Sequence, residues 1–118
     1  MYVSNLFYPE TLNGKRVMFT PFSKNGASLA NGGTLVAGIS DTRIIIHAVA
    51  MVATSACSLA FWRSNTNMLG PINLAANGQF ILPFSPFGWM QASHGQTVNF
   101  WTDVAATVVG VVIYTEVD

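Results

Sequence analysis

The chain has 118 residues, enough for one domain and an arm. It is 51% hydrophobic and only 8% charged, with five Lys and Arg offset by five Asp and Glu; an ordinary soluble domain is about 25% charged. Disorder is excluded, because it needs low hydrophobicity and usually high net charge. A nucleic-acid binder is also excluded, since no basic face can be built from Lys15, Arg16, Lys24, Arg43 and Arg63. A folded monomer of this length would expose roughly 6,200 Å², about one charge per 600 Å². That surface is about threefold poorer in charge than usual. Zero net charge favours association, so much of it is expected to face other protein.

Residues 1–33 differ in texture from the rest. They hold Pro9, Pro21, Gly14, Gly26, Gly32 and Gly33, four asparagines and the early aromatics Tyr2, Phe7 and Tyr8. A short strand is possible over Lys15–Thr20; the remainder reads as turns and extended chain. The segment is either an arm that packs on a neighbour or a first strand and loops of the same domain. We take 1–33 as an arm and 34–118 as the β domain.

From Thr34 the pattern is β throughout. Thr34–Ile39 is a short apolar run ending at Ser40-Asp41. Arg43–Ala53 follows, with Ile44, Ile46, Ala48 and Ala50 on one face and Ile45, His47, Val49 and Met51 on the other. Both faces are largely apolar, which predicts a strand buried on both sides. Thr54-Ser55 marks a turn before Ala56–Arg63, and Ser64 to Asn67 marks another. Asn77-Gly78 predicts a hairpin between Ile72–Ala75 and Gln79–Leu82. Pro83 to Gly88 must be a rigid irregular crossing, and His94-Gly95 a turn. Thr97–Thr102 alternates, and Thr107–Val117 is the most β-branched run. Gly110 inside it predicts a bulge or a close backbone approach. Six to eight strands, turn signals every 8–12 residues or so and no capped helix indicate an all-β sandwich or barrel.

Ile44 to Trp62 carries no charge and has the length of a membrane span. Its polar residues and β-branched start argue against one. Pro71 to Thr102, also charge-free, is too rich in Pro and Gly for a spanning helix. No secretory signal is legible at the N-terminus, and no membrane partner is expected. Cys57 is the single cysteine and reads as a small buried hydrophobe.

No catalytic constellation assembles. Ser93 and His94 are sequence neighbours, which point to opposite faces of a strand. His47 sits in the most apolar strand and reads as a satisfied core or interface histidine. His47 and His94 have no paired acids to complete a metal site. An enzyme, a metal and a cofactor are therefore not expected. The aromatics Phe80, Phe84, Phe87, Trp89, Phe100 and Trp101 could stack sugars if exposed. We read Trp89 and Trp101 as packing residues, with Trp89 mostly buried, because aromatics carry large buried area.

The stretch Gln79–Val117 carries a resemblance. A strand ends in Leu82-Pro83, then come Pro86-Phe87-Gly88-Trp89, a Gly95-centred turn, Thr97-Val98-Asn99-Phe100 and a final Gly110 to Tyr114 strand. This resembles the C-terminal half of small β-sandwich structural proteins of tailed bacteriophages, with Met90 where Phe is usual and Gln96 where Glu is usual. The resemblance implies a jelly-roll-like antiparallel sandwich. It also implies a virion protein, made in the host cytoplasm and placed on the capsid surface. Its type is a homotrimeric capsid decoration (cement) protein that bridges capsomers, with the major capsid protein as partner. Tyr2, Phe7 and Tyr8 are then expected to anchor the arm on its partner, while Lys15 and Arg16 meet acidic groups there. The alternatives are a carbohydrate-binding module and a tail fibre or spike component on a virion surface.

Overall fold

The computed structural model describes residues 11–12, 14–25, 33–64, 66–104 and 106–117, with 24 and 25 described in backbone only. Ten strands follow one another: β1 (Thr11–Leu12), β2 (Lys15–Asn25), β3 (Gly33–Val36), β4 (Arg43–Ala53), β5 (Cys57–Arg63), β6 (Thr66–Leu74), β7 (Gly78–Leu82), β8 (Met90–Ala92), β9 (Val98–Thr102) and β10 (Thr107–Val117). The described residues contain no helix.

They form two antiparallel sheets. The first runs β1-β2-β10-β4-β7, with β8 also on β4, and the second runs β3-β9-β5-β6. Leaving out the short β1 and β8, eight strands remain. The first pairs with the eighth, the second with the seventh, the third with the sixth and the fourth with the fifth. That nesting is a hairpin of hairpins rolled into a sandwich, which is the jelly-roll arrangement.

The core lies between the sheets. Ile44, Ile46, Val49 and Met51 of β4 and Val108, Val112 and Tyr114 of β10 meet Leu59, Phe61, Val98 and Phe100 of the second sheet. Aromatic pairs cross this layer, Phe22 on Phe100 at 5.8 Å and Phe61 on Phe80 at 5.6 Å between centroids. Such pairs add about 0.5–1.5 kcal/mol each beyond their buried area.

The strict alternation expected for β4 does not hold. Ile113 pairs with Ala48, but the next residue, Tyr114, pairs with Ile46, so His47 is an extra residue in a bulge. A bulge of one residue exchanges the two faces of a period-two strand. Ile44 and Ile46 therefore share the inner face with Val49, Met51 and Ala53, while Ala48 joins Val17 and Ile113 outside.

Three other expectations need correction. Lys15–Asn25 is not part of a separate arm: β2 pairs with β10 over nine positions, Val17 to Asn25. Pro21 interrupts its donors, and an edge strand tolerates that. The Asn77-Gly78 turn exists, with Asn77 at φ 61°, but it joins no hairpin. β6 lies in the second sheet and β7 in the first, so the turn carries the chain between layers. Trp89 is 48% exposed rather than mostly buried. It follows the irregular crossing over the outside of β4, where no second layer of described residues lies above it.

Candidate interaction surface

The 83–89 crossing divides the outer face of the first sheet. It lies over the half of β4 nearest the bulge and is pinned there by backbone. Ser85 N–H donates to His47 O at 2.9 Å and Trp89 N–H donates to Ile46 O at 2.7 Å. His47 is 1% exposed and both ring nitrogens are engaged. Nδ1 lies 2.8 Å from Ser85 O and Nε2 lies 2.9 Å from Thr115 Oγ1. A carbonyl only accepts, so Nδ1–H donates to Ser85 O, and Nε2 pairs with the Thr115 hydroxyl. Phe84 stacks on the ring at 5.5 Å and packs on Val17, Ala48 and Ile113. This is the satisfied structural histidine that the sequence suggested.

Beyond the crossing, no described element covers the outer face. Register places Pro21, Val111, Ala50 and Ile81 in one row and Ser23, Val109, Val52 and Gln79 in the next. Phe19, 53% exposed, stands at the border beside Ile113. Ile81 is 58% exposed and Val109 46%. No charged residue stands in these rows. Four strands about 4.8 Å apart and roughly 20 Å of strand length give a footprint of about 400 Å². A patch of that size matches the largest on an ordinary monomer, about 300–600 Å², and such patches are often functional. The double-sided apolar character of β4 was the sequence signal for this face. One side meets the core, while the far half of the other meets nothing among the described residues.

A second feature stands at the opposite end of β4. Phe87 is 94% exposed and Trp89 half exposed. The Trp89 indole Nε1–H donates to Pro83 O at 2.7 Å, which fixes the ring. Gly88 between them has φ +85°, and a Cβ there would strike Ile45 Cγ2. Only glycine lets the crossing lie this close to β4. With Ile45, Met90 and Gln91 these residues line an open groove of about 200 Å³.

The other sequence-singled residues are dispersed. Trp101 is half-buried on β9 in the second sheet, paired with Ala60, so it shares no site with Trp89. Lys15 and Arg16 begin β2, paired with Leu12 and Thr11 of β1 at the edge of the first sheet. Tyr2, Phe7 and Tyr8 lie outside the described residues. His94 sits in an exposed turn. Cys57 is buried, and burial first, with the Asp103 charge second, holds its thiol pKa above the ordinary value. Among the described residues, no group of three His, Cys, Asp or Glu could hold a metal ion. Among the same residues, no helix is long and apolar enough to cross a membrane. Comparison with protein-family models, curated proteins and solved structures finds no match for this chain.

Proposed function

We propose that this chain is a self-assembling structural protein of a virion, of the capsid decoration type. It forms a homotrimer that sits on the shell and bridges capsomers. The observation that carries the reading is the charge-free apolar half of the outer face of the first sheet. The rows also carry Ser23 and Gln79, so with about half of the footprint as exposed apolar surface, covering it is worth roughly 5 kcal/mol per face at 25 cal/mol per Å². Association costs an estimated 4–15 kcal/mol; in a ring of three each copy meets the next head to tail, so this face together with the different surface it covers on the neighbour must offset that cost. The low charge of the whole chain supports the same reading. The virion context rests on the resemblance of Gln79–Val117 to phage sandwich proteins. A closed ring of copies follows the ordinary symmetry of soluble homo-oligomers; the number three comes from the resemblance.

In this reading the protein's work is mechanical and no cofactor enters. The jelly roll has its own core, so it presents one rigid apolar face to a neighbouring copy. The residues before β1 then make the contact with the capsid protein. Cosedimentation with undecorated phage heads tests the reading. Saturable binding supports it, and no binding to any head preparation refutes the decoration role.

A further inference from the structure

We propose that the groove beside Trp89 is a binding site for a neutral saccharide, one sugar ring at a time. The inference is independent of assembly, because the groove lies past the 83–89 crossing from the open apolar rows. Three observations select the ligand chemistry. First, Trp89 presents a half-exposed ring whose orientation is already set. Its Nε1–H is spent on Pro83 O, and its backbone N–H is spent on Ile46 O. A preorganised aromatic face binds without an ordering cost.

Second, the lining carries one polar side chain, Gln91, among Ile45, Phe87, Gly88 and Met90. Gln91 is exposed on β8, paired with Ile45, and its carboxamide offers donors and acceptors beside the ring. A purely apolar side chain from a protein partner would leave such groups unsatisfied. A pyranose satisfies both surfaces, with its C–H face on the indole and its hydroxyls on the Gln91 carboxamide.

Third, no charged residue lines the groove. The Arg63 guanidinium beside the groove donates to Gln91 O at 3.2 Å, so a nucleotide or acidic sugar would meet only a cation that is already engaged. The volume of about 200 Å³ falls below the roughly 300–1,000 Å³ of sites that enclose drug-sized ligands. It suits one ring of a longer glycan, with Phe87 exposed at the rim to meet the next.

The experiment is a glycan array on the intact protein, followed by tryptophan fluorescence titration with the neutral oligosaccharides that score. Saturable binding is expected. Trp89→Ala should weaken it by about tenfold or more, the loss of one stacked ring, and Phe87→Ala by less. Ile81→Lys, on the open apolar rows, should leave it unchanged. If Trp89→Ala does not fold, Phe87→Ala and Gln91→Ala decide, since both side chains are exposed. The proposal is overturned if no neutral glycan binds, or if binding survives these substitutions intact. It is also overturned if Trp89→Ala and Phe87→Ala lower head cosedimentation without touching a glycan, which would make the ledge a protein contact. Loss of head binding in Ile81→Lys alone bears on the assembly reading and not on this one.

Discussion

Gly110→Ala is a sharp test of the packing in the first sheet. Gly110 stands in the middle of β10 between Phe22 of β2 and Met51 of β4. A Cβ built there meets Ala50 O and lies 2.7 Å from Met51 Cα and 2.8 Å from Met51 Cβ. Ordinary carbon contacts begin near 3.5 Å, so the methyl group is roughly 1 Å too close to backbone. Backbone cannot rotate away as a side-chain tip can. The β10 and β4 strands must part locally, at an overpacking cost of about 1–3 kcal/mol. One or two weakened ladder bonds add about 1 kcal/mol each. The total, about 2–5 kcal/mol, is a large share of the 5–15 kcal/mol that a domain commands. For a domain of this size it lowers Tm by about 8–20 °C. Circular dichroism melts at fixed protein concentration measure it. Gly95→Ala is the control: its φ is +79° but nothing lies within 4 Å, so only about 1–2 kcal/mol of backbone strain is expected. A Gly110→Ala protein that melts within about 2 °C of wild type would refute the close packing of β10 on β4.

Other expectations follow from the same contacts. His47→Ala leaves the buried Thr115 hydroxyl without its partner, removes one of the two donors on Ser85 O and releases Phe84, so it should cost about 3–5 kcal/mol in denaturant unfolding. Trp89→Ala should cost only about 1–2 kcal/mol, for one hydrogen bond and a half-exposed ring; a cost above about 3 kcal/mol would mean full burial. The raised Cys57 pKa means that the folded thiol holds its proton where the unfolded one releases it. Its contribution is therefore complete below the unfolded value of about 8.5 and is lost as pH rises through the folded value; Tm measured against pH should fall there in wild type, and less in Cys57→Ala. Removing residues 1–10 should leave a folded oligomer that no longer cosediments with heads. Undiminished binding would move the capsid contact onto the sandwich. Cutting further, through Leu12, would strip packing from Val17 and confuse the result.

Much of the fold was legible because the strands announce themselves. β4 and β10 occupy the bounds that their continuous apolar, β-branched runs suggest, Arg43–Ala53 and Thr107–Val117. β5 and β9 start one residue later than expected. The illegible parts depend on pairing rather than propensity. The first half of β2 reads as a short strand, Lys15–Thr20, but the rest reads as loop because of Pro21 and its polar neighbours, yet β10 supplies an edge that holds it through Asn25. β6 carries Gly70-Pro71 and few core residues, so pattern alone shows only its second half. β8 is three residues long and exists because Ile44 to Ile46 offer partners. The His47 bulge has no sequence signature, and it exchanges every face assignment after it. The open apolar face was half legible: β4 declared two apolar sides, but sequence could not say that one of them ends partly uncovered. Trp89 was misplaced for a related reason, since a Pro-Gly crossing can lie over a sheet or within it.

The central claim is that the open apolar rows hold copies of the chain together. Light scattering after size exclusion tests it most directly, on wild type and on Val109→Lys. Val109 is 46% exposed in the isolated chain, so a lysine there leaves the fold intact but buries an unpaired charge in any contact through that face. The account predicts three times the monomer mass for wild type at micromolar concentration and a folded monomer for Val109→Lys. A monomeric wild type, or a variant that keeps the full oligomer mass, would contradict it.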